Sequence, residues 1–309
     1  MVKKIICIVG VLDNITSTNV SMGYYLARLG YDILPVNYRT LIVQQGMDFF
    51  ENHMKYICEK VKPFLIIFSK CNGISPKIVE MCTKYTKTWV FHMDPLKTLS
   101  QCPETLEHIK YSTYSSFTAL DMVNKAKKAG IKNCYHIIQG TDPFLFKPVE
   151  PEEKYKADIS FIGFKTPERD EFLKYLSNSN LIVKPYGEGY NPPVFNEEFS
   201  KVCSSSKFML SMNTYNNEHK EYFSNRLVRY LSCGACVLHY DTTGTLNKYF
   251  KDTEDIIYFT SKEDLGIKYN TYICSEKARA NIALSGREKV LKYFTWDKIL
   301  NYMINLTED

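Results

Sequence analysis

Two arginines stand at the start of a short helix pattern in the stretch 224–240, SNRLVRYLSCGACVLHY, where an anion or a pair of acids would have to offset them. Ser224 is a good N-cap residue, and Leu227, Tyr230 and Leu231 recur at helical spacing on one face. Gly234 sits where a helix ends, and Ala235, Cys236, Val237 and Leu238 read as an inner parallel strand. Arg226 falls in the first turn, where the macrodipole is already positive and acidic residues are preferred. Arg229 follows three residues on, so the two cations share a face. A protein tolerates that more readily when an anion binds, because free N–H groups and the dipole already favour one. The alternative is neutralisation by Glu218 or Glu221, and local pattern leaves both open.

A second candidate lies in the first half. A strand over 88–91 delivers His92, Met93, Asp94 and Pro95 to a carboxyl-terminal sheet edge, where open α/β sheets place their ligands. His92 and Asp94 are candidates for substrate contact, general base work, or both. The alternative is a loop-capping Asp before proline and a histidine satisfied by backbone. Cys233 and Cys236 have CxxC spacing, but they fall at a helix-to-strand corner and no second pair completes a zinc site. No Asp-x-Asp triad of the metal-dependent kind occurs.

Bulk properties bound the class. The 309 residues are enough for two domains, and 45% hydrophobic with 24% charged residues is the composition of a soluble globular protein. No apolar run approaches the ~20 residues that span a bilayer. The N-terminus mimics a signal peptide, but its apolar stretch 5–12 is short and lacks a small-residue cleavage site. A first strand and a cytoplasmic protein are expected. Thirty-nine basic against 34 acidic residues give +5, which suits anionic substrates and falls short of a nucleic-acid signature. The ten cysteines are scattered singly and read as reduced packing residues.

These sites need elements to hold them. A strand over 3–9, a polar loop, a helix over 19–29 and a strand over 32–36 form a doubly wound α/β unit without a GxGxxG fingerprint. Helices over 44–60, 75–85 and 117–129 alternate with strands over 64–68, 88–91, 111–114 and 134–138. The stretch 141–158, with Pro143, Pro148 and Pro151, reads as a linker. Beyond it, strands over 158–162, 181–184, 207–212 and 254–260 alternate with helices over 169–178, 196–204 and 275–293, and a last helix runs through 306. Two parallel-sheet domains facing across a cleft are expected, divided as 1–148 and 149–290, with 291–309 returning to the first.

In this order, several segments resemble glycosyltransferases of the two-Rossmann-domain (GT-B) architecture. More narrowly the chain resembles the spore maturation protein (CgeB-like) group, related to retaining glycosyltransferase family 4. The carriers are Trp89 to Pro95; Gln139-Gly140-Thr141-Asp142-Pro143 with Phe146-Lys147-Pro148; and Asp158 to Gly163 with Arg169. Ser224-Asn225-Arg226 through Cys233-Gly234 and Phe294-Thr295-Trp296 complete the set. The likeness covers nearly the whole chain and is strongest from Cys134 onward.

The resemblance implies a glycosyltransferase, a hexosyltransferase in particular, moving sugar from a UDP- or GDP-sugar to an acceptor hydroxyl, with no cofactor and no metal. It implies that Ser224, Asn225 and Arg226 hold the donor diphosphate with Arg169 and Lys165, and that Tyr186 and Gly187 lie near the nucleotide. The acceptor would sit on the first domain, with Gly10 and Asn14 in its loop and His92 or Asp94 at the reacting hydroxyl. Family 4 favours retention; an Asp base would suit inversion. Where the family usually carries a ribose-binding glutamate this chain has Arg229, which has donors only, so either another acid such as Glu188 or Glu254 substitutes, or donor recognition differs, or the donor site has decayed. The acceptor is open among glycan, protein and nucleic acid. One rival is transfer to a DNA base, as in viral enzymes, with Lys125, Lys127, Lys128 and Lys132 as a basic strip. The other is a nucleotide-sugar-binding or assembly protein without chemistry, which Arg229 favours.

Overall fold

The computed structural model describes residues 3–14, 17–70, 72–94, 103–213 and 219–308. The chain divides into two compact units, Met1–Gln139 with Trp296–Asp309, and Gly140–Thr295.

The first unit alternates strand and helix: β1 (Ile5–Gly10), α1 (Thr18–Arg28), β2 (Asp32–Asn37), α2 (Tyr38–Gln45), α3 (Met47–Tyr56), β3 (Leu65–Ser69), α4 (Pro76–Thr83) and β4 (Lys87–His92). It continues through α5 (Pro103–Tyr111), β5 (Tyr114–Phe117), α6 (Leu120–Lys128) and β6 (Cys134–His136). The strands form one parallel sheet in the order β2-β1-β3-β4-β5-β6. Apolar runs such as Leu65-Ile66-Ile67-Phe68 are wholly buried, as a strand covered on both faces requires. β2 carries Pro35 and is an edge, the place where a missing N–H costs no ladder bond.

The second unit holds β7 (Ala157–Ile162), α7 (Pro167–Ser177), β8 (Val183–Tyr186), α8 (Asn196–Ser205), β9 (Ser206–Ser211), α9 (Asn225–Ser232), β10 (Val237–Tyr240), β11 (Ile257–Phe259), α10 (Lys262–Ile273) and α11 (Glu276–Tyr293). Its parallel sheet runs β11-β10-β9-β7-β8. Ile159, Phe161, Phe208 and Leu238 are fully buried in its core. Each stabilises the fold by about 1.5–3 kcal/mol relative to exposure. α9 stops where Gly234 takes a left-handed φ of 71° and donates its N–H to the Leu231 carbonyl.

Several sequence expectations need correction. The helix expected over 44–60 begins at Met47 and continues as a π-helical turn through Val61, because Gly46 at φ 87° separates it from α2. β5 lies three residues beyond the expected 111–114. Its serines disguised it: Ser116 accepts from Trp89 Nε1 at 2.8 Å, so a polar pair sits in a buried strand. α10 was missed because its apolar residues follow no clear stripe and Gly266 interrupts them. The division falls at 139/140 rather than 148/149. Residues 140–148 belong to the second unit because Thr141 pairs with Thr295 and the Phe146 carbonyl accepts from Ser232 Oγ. The final helix, α12 (Trp296–Glu308), belongs to the first unit and packs on α1. The eight described cysteines are free and all but Cys274 are buried. Among the described residues, no helix is long and apolar enough to cross a membrane.

His239, on β10, is fully buried with Nδ1 2.9 Å from Ser211 Oγ, and burial drives its pKa down to about 4. An unfolded histidine takes its proton near pH 6.5, so below that the unfolded chain gains protons that the folded one refuses. Buried His92 and His108 shift in the same direction for the same first cause. Stability is therefore expected to hold above pH 6.5 and to fall from there toward pH 4. His239 alone contributes roughly 3 kcal/mol at most. Urea midpoints across that window test this, and an unchanged slope in His239→Gln would remove His239 as a cause.

Candidate functional site

The second unit's strand order reverses between β7 and β9, and the crevice beyond the carboxyl ends at such a point is where open sheets bind ligands. Two arginines converge there. Arg226 donates from Nη1 to the Ile162 carbonyl at 3.2 Å and from Nη2 to the Met212 carbonyl. Arg169, 2% exposed, donates from Nη2 to the same Met212 carbonyl at 3.1 Å and from Nη1 to Phe164 O at 3.0 Å. Both guanidiniums lie over the Phe161 ring, at 4.9 and 5.4 Å. Burial, then the neighbouring Arg226, push Arg169 down to about 10, so it stays charged at neutral pH.

Local sequence builds this arrangement. Thr166 caps α7 by accepting from the Arg169 N–H, and Pro167 occupies the first turn. Asn213, buried after β9, accepts from Ser224 N–H at 3.1 Å and donates to Tyr222 O, which fixes the entry to α9. Tyr230, on α9, accepts from the Ile162 N–H at 2.7 Å and ties the helix to the end of β7. Glycines allow the close approach: a Cβ on Gly163 would meet Arg226 Nη1 at 2.5 Å. One on Gly187, at φ 127°, would meet Gly163 O at 2.3 Å.

What remains unsatisfied is informative. Ser224 makes no side-chain cap, and α9 has no acidic residue in its first turn. Ser224 Oγ and Arg226 Nε are buried without a hydrogen-bond partner among the described residues. Two close cations, an uncapped helix start and orphaned donors are the charge and geometry that an anion site requires. Asn225 is the first residue of α9 and partly buried. Lys165 turns to Asp170 at 3.1 Å. Glu221, one of the two acids that could have neutralised the arginines, is paired with Lys248 and accepts from Tyr249 at 2.8 Å. Glu218 lies outside the described residues.

Other expected residues are placed elsewhere. Tyr186 packs edge-on against Tyr155, so its ring serves the core, and what it brings to this edge is its backbone beside Gly187. Arg229 is not the twin of Arg226: its guanidinium lies 4.5 Å from the Phe146 ring centroid, with Asp142 as its acidic neighbour. Burial pushes it down to about 10. Glu188 is exposed, and its carbonyl accepts from the Lys165 N–H. Glu254 precedes β11 at the opposite sheet edge and pairs with Lys251.

The first unit has its own carboxyl edge. Gly10 ends β1 beneath Asn19, whose Nδ2 would lie 2.6 Å from any added Cβ. Asn14 is exposed in the following loop, and its carbonyl accepts from Ser17 N–H. His92, 3% exposed, has Nδ1 3.1 Å from the Asp94 carbonyl; a carbonyl only accepts, so Nδ1 carries the proton. Asp94 is half-exposed and pairs with Lys70 at 2.6 Å, a partner with no motif to announce it. Pro95 lies outside the described residues. The basic strip is not at this edge. Lys125, Lys127 and Lys128 fill the last turn of α6, where they complement its dipole, and Lys125 pairs with Asp121.

Residues 152–305 match the family described as glycosyl transferase-like. No curated protein sequence matches the chain. Among solved structures, HepE of Anabaena in complex with UDP and glucose superposes with a TM-score of 0.71 at 10% identity, over 99% of both chains. Sucrose-phosphate synthase of Thermosynechococcus elongatus gives 0.67 at 13% identity, over 99% of this chain and 98% of that one. A glycosyltransferase from Rickettsia africae gives 0.69 at 12%, over 98% and 97%. At these identities the structural likeness is one of fold. Residues 152–305 thus carry a glycosyl transferase-like domain, in a chain whose two parallel-sheet Rossmann-like domains have the GT-B architecture.

Proposed function

We propose that the chain moves a hexose from a nucleotide-diphosphate sugar to an acceptor hydroxyl, without a metal and with retention of configuration. In this reading it belongs with the CgeB-like group near glycosyltransferase family 4. The observation that carries it is the pair Arg169 and Arg226 on one strand-end carbonyl, beside an uncapped helix start and the orphaned Ser224 Oγ and Arg226 Nε. As the glycosidic bond breaks, negative charge gathers on the leaving diphosphate, and fixed cations and N–H groups stabilise it without reorganising. UDP is the first nucleotide to consider, since HepE was solved with UDP-glucose.

The first unit would receive the acceptor. Asp94 accepts from the Lys70 ammonium at 2.6 Å and keeps lone pairs for an acceptor hydroxyl, and the reading of retention rests on the resemblance to family 4. His92 is kept neutral by burial and orients the Asp94 backbone. Arg229, the feature favouring a protein without chemistry, has a packing role on Phe146 that does not require lost transfer. No observation favours a DNA-base acceptor.

UDP and UDP-glucose are expected to raise the melting temperature of the full chain. Arg226→Met should weaken UDP binding about tenfold or more, the loss of a charge-assisted contact. A wild-type chain indifferent to UDP, GDP and their sugars would sink the donor assignment. Gly187→Ala is expected to destabilise the second unit by about 1–3 kcal/mol, because its Cβ meets backbone rather than a mobile side chain. Unfolding that matches wild type would refute that packing argument.

A further inference from the structure

The first unit's sheet also reverses its strand order, between β1 and β3, and Lys70 stands immediately beyond β3 at that reversal. Lys70 has a left-handed backbone, φ 69°, which a lysine adopts only at a cost and which glycine would take freely. Its N–H is held by the Phe91 carbonyl at 3.0 Å, and its ammonium meets Asp94 at 2.6 Å.

Asp94 is fixed from behind with more bonds than an exposed loop residue needs. The Met93 carbonyl accepts from Thr118 Oγ1 at 3.1 Å and from Gln139 Nε2 at 3.0 Å. The Asp94 carbonyl accepts from His92 Nδ1. Beside Lys70, Ser69 Oγ is buried without a partner among the described residues. A half-exposed carboxylate pinned through its backbone, facing a partly exposed ammonium on a strained residue, is a preorganised surface rather than a chance ion pair.

We propose that Lys70 and Asp94 form a clamp for the vicinal diol of a neutral pyranoside, Lys70 being the recognition residue that the sequence does not announce. A sugar hydroxyl both donates and accepts. One hydroxyl of a diol donates to the carboxylate while its neighbour accepts from the ammonium, so the pair fits a diol as neither charge alone does. This rests on reading the chain as a glycosyltransferase whose acceptor lies on the first unit, and it names that acceptor as a glycan.

The test uses the full chain and methyl α- and β-glucopyranoside, with binding followed by NMR of the glycoside and UDP binding followed separately. Lys70→Gly relieves the backbone, so it should keep or raise the melting temperature while weakening glycoside binding about tenfold or more. Asp94→Asn should weaken it similarly, and Lys70→Arg should restore part of the loss. UDP affinity should be unchanged in all three. Glycoside binding intact in Lys70→Gly, or absent from wild type that binds UDP, overturns the clamp. A wild type that binds glycoside in a Lys70-dependent way but no nucleotide overturns the donor reading and leaves the clamp standing.

Discussion

The Met212 carbonyl, shared by two guanidiniums, is the contact on which the second unit's edge depends. Like charges do not share an acceptor unless something holds them there. Here Arg169 is immobilised by α7 and the Phe164 carbonyl, and Arg226 by α9 and the end of β7. Phe161 lies under both, supplying a π-face where an acid would otherwise be expected. Glycine at 163 and 187 follows from this, since any side chain would push a guanidinium or a turn away. The repulsion is thus offset by packing, and an anion bound there would relieve it.

Charge in an unfavourable place was the legible part of this site. Arg226 in a first turn without acids is visible from residue order alone, and Asp94 is visible because it ends a strand before proline. Arg229 misled because helical spacing places two side chains on one face without saying where each bends. Phe146, far away in sequence, decides that. Asn213 and Tyr230, which hold α9 in place, look like ordinary polar and core residues until their backbone partners are known. Lys70 was illegible for another reason: a left-handed backbone is usually announced by glycine or asparagine, and a lysine after a strand reads as solvent-facing charge.

Fold class was legible further than boundaries. Continuous apolar runs such as those of β1, β3 and β4 leave little choice but buried parallel strands. β5 escaped because hydrogen bonds to Trp89 and to a loop carbonyl make serines acceptable in a core. The boundary near 140 escaped because three prolines look like a linker whether or not the segment packs. Here Phe146 packs against Phe199, and its carbonyl takes the Ser232 hydroxyl.

The first unit is built from both ends of the chain, and this has a consequence for the order of assembly. Lys4 pairs with Glu308 at 2.9 Å, and Lys87 donates to the Thr307 carbonyl, so contacts 304 and 220 residues apart close this unit. The second unit, 140–295, is complete in sequence before α12 has been synthesised. The interrupted unit keeps one flank uncovered until α12 docks, while the inserted one is built from a single continuous segment. Once the inserted unit has folded, the loop that α12 closes is compact, which lowers the entropy of closure below that of a free chain of the same length.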